Sequence, residues 1–256
     1  MYLDRLDFAI KLARRVGFYL LQHWGNALNV REKSSFQDIV SDCDKQAQQM
    51  IVSEIERYFP HEAILAEEDR FETGQKLWIV DPIDGTMNFV HGLPSFAVGI
   101  AYSEFGDVLI GVVHDPVLNE TFYAVKGEGA YRNGEKISVS TNATLRESIG
   151  NVGFYVGFTG HFVNAIEKRV RRMRMMGSAV LAASYVACGR FDFFVARRAN
   201  PWDVAPVLLI VPEAGGCVTD LDGKQANLSS GAYLFSNGKV HSEVLEIINK
   251  VKGSER

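Results

Sequence analysis

The sequence predicts a layered fold that mixes helices and sheets, of the α/β or α+β kind. Three observations carry this. Apolar residues recur at helical spacing near both ends of the chain. Short apolar runs bounded by turn signals follow the second helical segment. Helical and strand signals then alternate through the second half. With 256 residues, 47% of them hydrophobic, the chain can bury one large core or two tightly joined halves.

The elements follow in order. Leu3, Leu6, Ile10, Ala13 and Leu20 sit at helical spacing with Lys11, Arg14 and Arg15 between them, which predicts an amphipathic helix over 3–23. Ala47, Met50, Ile51, Ile55 and Tyr58 mark a second helix over about 41–59, closed by Pro60. Leu77–Val80, Phe96–Tyr102 and Val108–His114 read as strands, the last two joined by a hairpin turn over 103–107. Asn133-Gly134 is a turn signal before a further strand, Ile137–Ser140. In the second half, Phe162–Val170 and Ser178–Cys188 read as helices, the latter stopped by Gly189. Phe191–Val195 reads as a strand, Asp203–Ala214 as a helix, Cys217–Thr219 as a strand and Val240–Val251 as a closing helix. Pro206 falls in a first helical turn, where proline is tolerated, whereas Pro212 predicts a kink or an early end.

Composition narrows the function. A net charge of −4 argues against a nucleic-acid binder, which carries a basic excess. Anionic substrates remain open, because bound cations reverse the local charge of an acidic site. Cys43, Cys188 and Cys217 form no CxxC pair and no zinc spacing, and fit a reducing compartment as small buried side chains. The first residues lack a signal-peptide pattern, and the run Val207–Val211 is too short to span a bilayer. A cytoplasmic protein with no membrane partner is the expectation.

The sharpest segment is Trp78-Ile79-Val80-Asp81-Pro82-Ile83-Asp84-Gly85-Thr86. A buried strand delivers Asp81, and the chain turns through Asp84-Gly85, so two carboxylates and the Ile83 carbonyl can converge on a hard cation. The N–H groups of Gly85 and Thr86 can cradle a phosphate where a helix or tight turn begins. Taken alone, the same residues are equally a turn. Ala63–Ala66 is a second apolar run, ending in Glu67-Glu68-Asp69, which by itself is a solvated charge run. Asp203, after Trp202, is by itself a helix cap. Asp44 follows Ser41 at capping-box spacing, and Lys33 is most simply a loop lysine. No Ser-His-Asp or Cys-His motif asks for a covalent nucleophile.

Four blocks taken together resemble the inositol monophosphatase family, within the lithium-sensitive, magnesium-dependent phosphatase superfamily. They are Lys33 with Ser41-x-x-Asp44, Ala66-Glu67-Glu68, Trp78-x-x-Asp81-Pro82-Ile83-Asp84-Gly85-Thr86-x-Asn88-Phe89, and Trp202-Asp203 with Glu213-Ala214-Gly215-Gly216. Gly177-Ser178-Ala179 and Gly189-Arg190-x-Asp192 also look like the family. The blocks keep family order and spacing over nearly the whole chain. The resemblance implies an α-β-α-β-α sandwich of the inositol monophosphatase and fructose-1,6-bisphosphatase type. It implies an N-terminal half over 1–140, a C-terminal half over 141–256, and a homodimer. It also implies hydrolysis of a small phosphorylated polyol or sugar by metal-activated water, with two or three Mg2+ ions for which Mn2+ can substitute. Glu67, Asp81 and the Ile83 carbonyl would hold one ion, Asp81, Asp84 and Asp203 a second, and Glu67 a looser third. Thr86 would orient the attacking water together with Asp44, making Glu67, Thr86 and Asp44 the catalytic set. Gly85 and Thr86 would bind phosphate, and Asp84 and Ala179 would face the polyol.

The chain departs from the pattern at three places. Where many members carry a glutamate seven residues before the helix-opening aspartate, this chain has Ala196, followed by Arg197 and Arg198. That loosens any link to inositol phosphate alone. The arginines can be read as receptors for a second phosphate, as in fructose 1,6-bisphosphate, or as an exposed surface pair. Met87 stands in place of a threonine, and Pro206 in place of a small residue. Other readings are a phosphatase for NADP or a 3′-phosphonucleotide, and, from another class, a regulatory binding protein on the same fold.

Overall fold

The computed structural model describes residues 2–26, 29–35 and 38–254. The first helix, α1 (Tyr2–His23), leads through a small hairpin, β1 (Arg31–Ser35) and β2 (Asp38–Val40), into α2 (Asp42–Tyr58). The chain then runs through β3 (Ala63–Ala66), β4 (Arg70–Phe71), β5 (Lys76–Asp84), the short α3 (Thr86–Val90), β6 (Ala97–Glu104), β7 (Asp107–Asp115), β8 (Glu120–Val125), β9 (Ala130–Arg132) and β10 (Glu135–Lys136). The second half comprises β11 (Ile149–Val152), α4 (Thr159–Ile166), β12 (Arg172–Arg174), α5 (Ala179–Ala187), β13 (Phe193–Arg197), α6 (Ala205–Glu213), β14 (Cys217–Thr219), β15 (Ala232–Ser236) and α7 (His241–Ser254).

Burial explains why these elements form five layers. Helices α1 and α2 turn their apolar stripes, including Leu12, Val16, Ile51 and Ile55, onto one face of an eight-stranded sheet ordered β10-β9-β8-β7-β6-β5-β3-β4. The other face of that sheet meets α5 and α6, which are apolar all round because a second sheet covers their far side. That sheet has five strands in the order β12-β11-β13-β15-β14, and α4 and α7 close its outer face. The result is the α-β-α-β-α sandwich.

Two glycines permit the closest approaches. Alternation along β7 sends Ile110 and Val112 toward α1 and leaves Gly111 facing α6. A Cβ at Gly111 would overlap the Pro206 carbonyl and lie 3.0 Å from its Cα. On the opposite face, a Cβ at Gly17 of α1 would come within 2.5 Å of the buried His114 ring. The larger sheet can therefore sit flush between two helix layers, and α6 stays pinned where the chain leaves Asp203.

Several elements differ from those the sequence predicts. The hairpin turn over 103–107 shrinks to Phe105-Gly106, whose φ values of 52° and 86° suit a two-residue turn with both central residues left-handed. Ile137–Ser140 joins no ladder. Its Val139 N–H bonds to the Ala214 carbonyl at the end of α6, because this stretch crosses between the sheets. The helix expected over 162–170 lies over 159–166, and the basic run after it becomes the edge strand β12. The strand expected at 191–195 is shifted to 193–197 because Asp192 is engaged as an acceptor for Ile149 N–H. Helix α6 begins after Asp203 rather than at it, with Val204 as its cap, and ends one residue past Pro212. Strands β8, β11 and β15 were not legible as strands.

Gly111→Ala is expected to lower stability by about 1–3 kcal/mol, the range for overpacking a rigid contact against backbone. Urea denaturation measures this, and an unchanged midpoint would show that α6 is free to move off β7.

Candidate active site

The site forms where β5 runs out between the two sheets. Its last residues are fully enclosed, and the ladder to β6 slips between Asp81 and Asp84, so both carboxylates are delivered at one end of the strand. Asp81 Oδ1 accepts the Ile83 N–H at 3.1 Å, which ties the turn. Gly85 then adopts φ 95° and caps α3; a Cβ there would meet the Ser95 and Gly177 carbonyls at 2.9 and 3.1 Å. Only glycine lets the chain turn this tightly beneath the loop that opens α5.

Asp44 serves two purposes at once. Its Oδ2 accepts Ser41 N–H at 2.7 Å and Ser41 O–H at 2.6 Å, which is the capping box at the start of α2. Its Oδ1 accepts the Thr86 hydroxyl at 2.9 Å, and that hydroxyl also lies 3.1 Å from the Ile83 carbonyl. Burial raises the Asp44 pKa, and the Ser41 and Thr86 hydrogen bonds temper the rise. The capping and site readings of Asp44 are therefore compatible.

Asp84 is held from the opposite side. Ser178 Oγ donates to its Oδ2, Val180 N–H donates to the same oxygen at 2.9 Å, and Ala179 N–H donates to Oδ1 at 3.1 Å. The start of α5 thus grips a carboxylate that belongs to β5. Asp203 precedes α6, and its Oδ2 accepts Asn200 N–H at 2.7 Å. Glu67 follows β3, where Lys33 Nζ donates to it at 2.9 Å and also to Glu68. Burial works against the Lys33 ammonium, yet Glu67 and Glu68 raise its pKa.

The electrostatics mark the cluster as one unit. Burial first, then the charges of Glu67, Asp84 and Asp203, lifts the Asp81 pKa well above the ordinary aspartate range. Asp84 is raised to about 6 and Asp203 to about 8, in both cases chiefly by burial. Among the described residues no three His, Cys, Asp or Glu side chains close on a common point as a finished cage. Lys33, Ser178 and the α5 N–H groups hold several of these oxygens instead. The donor chemistry nevertheless fits a hard divalent cation: four carboxylates and a carbonyl, all oxygen.

A cavity of about 590 Å3 opens beside Asp84 and Asp203, and Met87, Asn151, Tyr155, Ala179 and Phe194 contribute to its wall. Ala179 and Asp84 both line it. Arg197 and Arg198 do not line it. They border a separate cleft of about 330 Å3 with His161, and the Arg197 guanidinium lies 4.4 Å from the Phe158 ring centroid. Ala196 is fully buried, so the position of the family's glutamate offers the cavity no polar group. Sequence reasoning missed Tyr155 and the grip of Ser178 on Asp84. Their signals were an aromatic pair bracketed by Gly153 and Gly157, and a serine at the cap of an apolar helix.

A family model described as the inositol monophosphatase family matches residues 2–252. The chain belongs to that family. It is accordingly a phosphatase. A Thermotoga maritima protein named fructose-1,6-bisphosphatase/inositol-1-monophosphatase is 57% identical over 249 residues, covering 97% of each chain. The solved structure of a Thermotoga maritima IMPase is 56% identical and matches with a TM-score of 0.97 over 99% of this chain and 100% of that one. An IMPase/NADP phosphatase solved in complex with Mg2+ and phosphate is 27% identical, with a TM-score of 0.85 over 97% of this chain and 95% of its own.

The raised carboxylates have a consequence for stability. Folded Asp84 and Asp203 bind protons more tightly than an unfolded aspartate, whose pKa is about 3.9. The stabilisation this gives is complete below that value and is lost as pH rises through about 6 for Asp84 and about 8 for Asp203. Burial holds the His114 pKa down to about 4, so its contribution has the opposite sign and is nearly complete by pH ~7. From pH ~7 to ~8.5, the Tm of EDTA-treated protein is expected to fall, and added Mg2+ to raise Tm more at the upper end. Asp203→Asn should flatten the fall. A flat profile in the unaltered protein, with no growth in the Mg2+ effect, would contradict the crowding described here.

Proposed function

We propose that this phosphatase is divalent-cation dependent and hydrolyses inositol monophosphate and related sugar or polyol phosphates, with fructose 1,6-bisphosphate among its substrates. The observation that carries the reading is geometric: Asp81 and Asp84 are delivered at one buried strand end, Asp203 borders the same cavity as Asp84, and Thr86 donates to Asp44 beside them. The dual name of the 57%-identical relative supports the inclusion of a bisphosphate. A second phosphate that reached Arg197 and Arg198 would have to cross the Tyr155 segment, because their cleft is separate. A homodimer is proposed on the family resemblance, and a cytoplasmic location on the sparse, unpaired cysteines.

Glu67, Asp81 and the Ile83 carbonyl would hold one Mg2+, and Asp81, Asp84 and Asp203 a second, with Glu67 available to a third. Such ions make bound water more acidic and offset charge on the leaving oxygen. The chain's own groups supply the positioning. Thr86 Oγ1 gives its hydrogen to Asp44 Oδ1 and keeps a lone pair that can accept a hydrogen bond from the attacking water. Asp44, buried and still able to accept, can take the proton passed on through that hydroxyl. The first N–H groups of α3, at Gly85 and Thr86, have no helical acceptor and would bind phosphate oxygens. Asp84 and Ala179 sit where the polyol would enter.

Phosphate release from inositol 1-phosphate, fructose 1,6-bisphosphate, glycerol 2-phosphate, NADP and 3′-phosphoadenosine 5′-phosphate tests this directly. Release is expected with Mg2+ and is expected to stop with EDTA and to weaken with lithium; release indifferent to EDTA would overturn the cation dependence. Asp84→Asn should lower kcat by at least ~10²-fold, since it weakens the group that anchors transition-state charge stabilisation. Near-normal turnover in that variant would sink the ligand assignment. Thr86→Ala should lower kcat by about 10²-fold or more with a much smaller change in KM, because it disturbs the water rather than the ester. Steady-state kinetics separate the two parameters, and a change confined to KM would remove Thr86 from the proton path.

A further inference from the structure

The residue that faces the carbon skeleton of the substrate can be found by asking which polar side chain in the cavity is uncommitted. Asn88 Nδ2 donates to the Ser95 and Met176 carbonyls at 2.7 and 2.8 Å. Asn151 Oδ1 accepts Met176 N–H at 3.3 Å. Ser178 Oγ donates to Asp84. Each of these wall residues has at least one side-chain atom engaged within the protein.

Tyr155 differs. Its neighbours Phe154 and Val156 are 69% and 68% exposed, while its own ring folds inward toward Asp84 and Asp203. The phenol oxygen takes the backbone N–H of Arg197 as donor, and among the described residues no acceptor takes the phenol hydrogen. Gly153 makes this placement possible. Its φ lies outside the left-handed region, so its backbone does not demand glycine. A Cβ there would instead land on the end of the Tyr155 ring, 2.5 Å from Cζ. The glycine makes room for the tyrosine, whose ring lines the cavity beside Phe154.

We infer that Tyr155 is a specificity-determining residue whose phenol donates a hydrogen bond to a hydroxyl oxygen on the carbon skeleton of the phosphorylated polyol, with Gly153 as the positioning residue. The inference rests on the phosphatase reading above. The carboxylates and the α3 N–H groups handle the phosphate end, which every substrate shares, so discrimination must come from the far wall. There Phe194 and Phe154 supply no polar group, and Tyr155 supplies a fixed donor. A phenol held by a backbone N–H has little freedom to turn, so it selects on the position of an oxygen as well as its presence.

The test compares inositol 1-phosphate with phenyl phosphate, whose ring carries no oxygen beyond the ester. In Tyr155→Phe the ratio of their kcat/KM values is expected to fall by about 2- to 12-fold, the size of one lost neutral hydrogen bond. Gly153→Ala should lower the same ratio by displacing the phenol. A panel of monodeoxy inositol phosphates then locates the contact: one member should be penalised in the unaltered enzyme and not in Tyr155→Phe. An unchanged ratio in Tyr155→Phe overturns the proposal. So does an equal loss on both esters, which would mark a purely structural tyrosine. Failure of the unaltered enzyme to release phosphate from either ester would instead overturn the phosphatase reading, and the inference with it.

Discussion

Like charges forced together at the seam between the two sheets are the constraint on which the rest of the structure depends. Asp81 and Asp84 end one strand of the larger sheet, Glu67 follows its parallel neighbour, and Asp203 comes from the other half of the chain just before α6. Burial, helped by neighbouring negative charge, opposes the ionisation of Asp81, Asp84 and Asp203. The fold restrains them with local partners: the Lys33 ammonium on Glu67 and Glu68, the Ser178 hydroxyl and two α5 N–H groups on Asp84, and Asn200 N–H on Asp203. Each partner belongs to an element that has other reasons to be where it is.

Those reasons lie in the packing. Helices α5 and α6 form the middle layer, apolar on every side, so they can be placed only between two sheets. That placement brings the start of α5 onto Asp84 and the residues before α6 onto the same site. Gly111 lets α6 sit against β7 at backbone distance, and Gly85 lets the β5 turn pass under Gly177. Away from the site, Asp192 collects Ser140, Asn142, Ile149 N–H and Asn237, anchoring the segment that crosses from one sheet to the other. Glu213 does similar work at the end of α6 by accepting the N–H groups of Gly127 and Gly129 at 2.7 Å each. Family-like blocks outside the active site thus have structural duties that explain their residue types.

The division of labour within the site follows from the same geometry. Groups that would meet phosphate come from β5, α3 and the end of β3, all within the larger sheet and its connections. The cavity beyond them is walled by residues 151–155 and 177–179 and by Phe194, from the smaller sheet and the loop before α5. Asp84 and Asp203 stand at the border between the two, lining the cavity as well. Arg197 and Arg198 together border a separate cleft with His161.

The sequence by itself determined the layered mixture of helices and sheets, the strand that ends at Asp81, the turn at Gly85 and the acidic residues of the site, because periodicity, glycine and clustered carboxylates are local signals. It did not reveal strands β8, β11 and β15, whose residues lack a clean alternation, nor the short, arginine-rich edge strand β12. The role of Asp44 was ambiguous in sequence, since capping a helix and holding Thr86 use different oxygens of one carboxylate. Only the tertiary structure decided that both occur, that Lys33 reaches Glu67 from a distant hairpin, and that Tyr155 rather than Arg197 faces the cavity. The reason is physical. Which face of an element a side chain occupies is written in the sequence, but what stands opposite that face is fixed only when the layers pack.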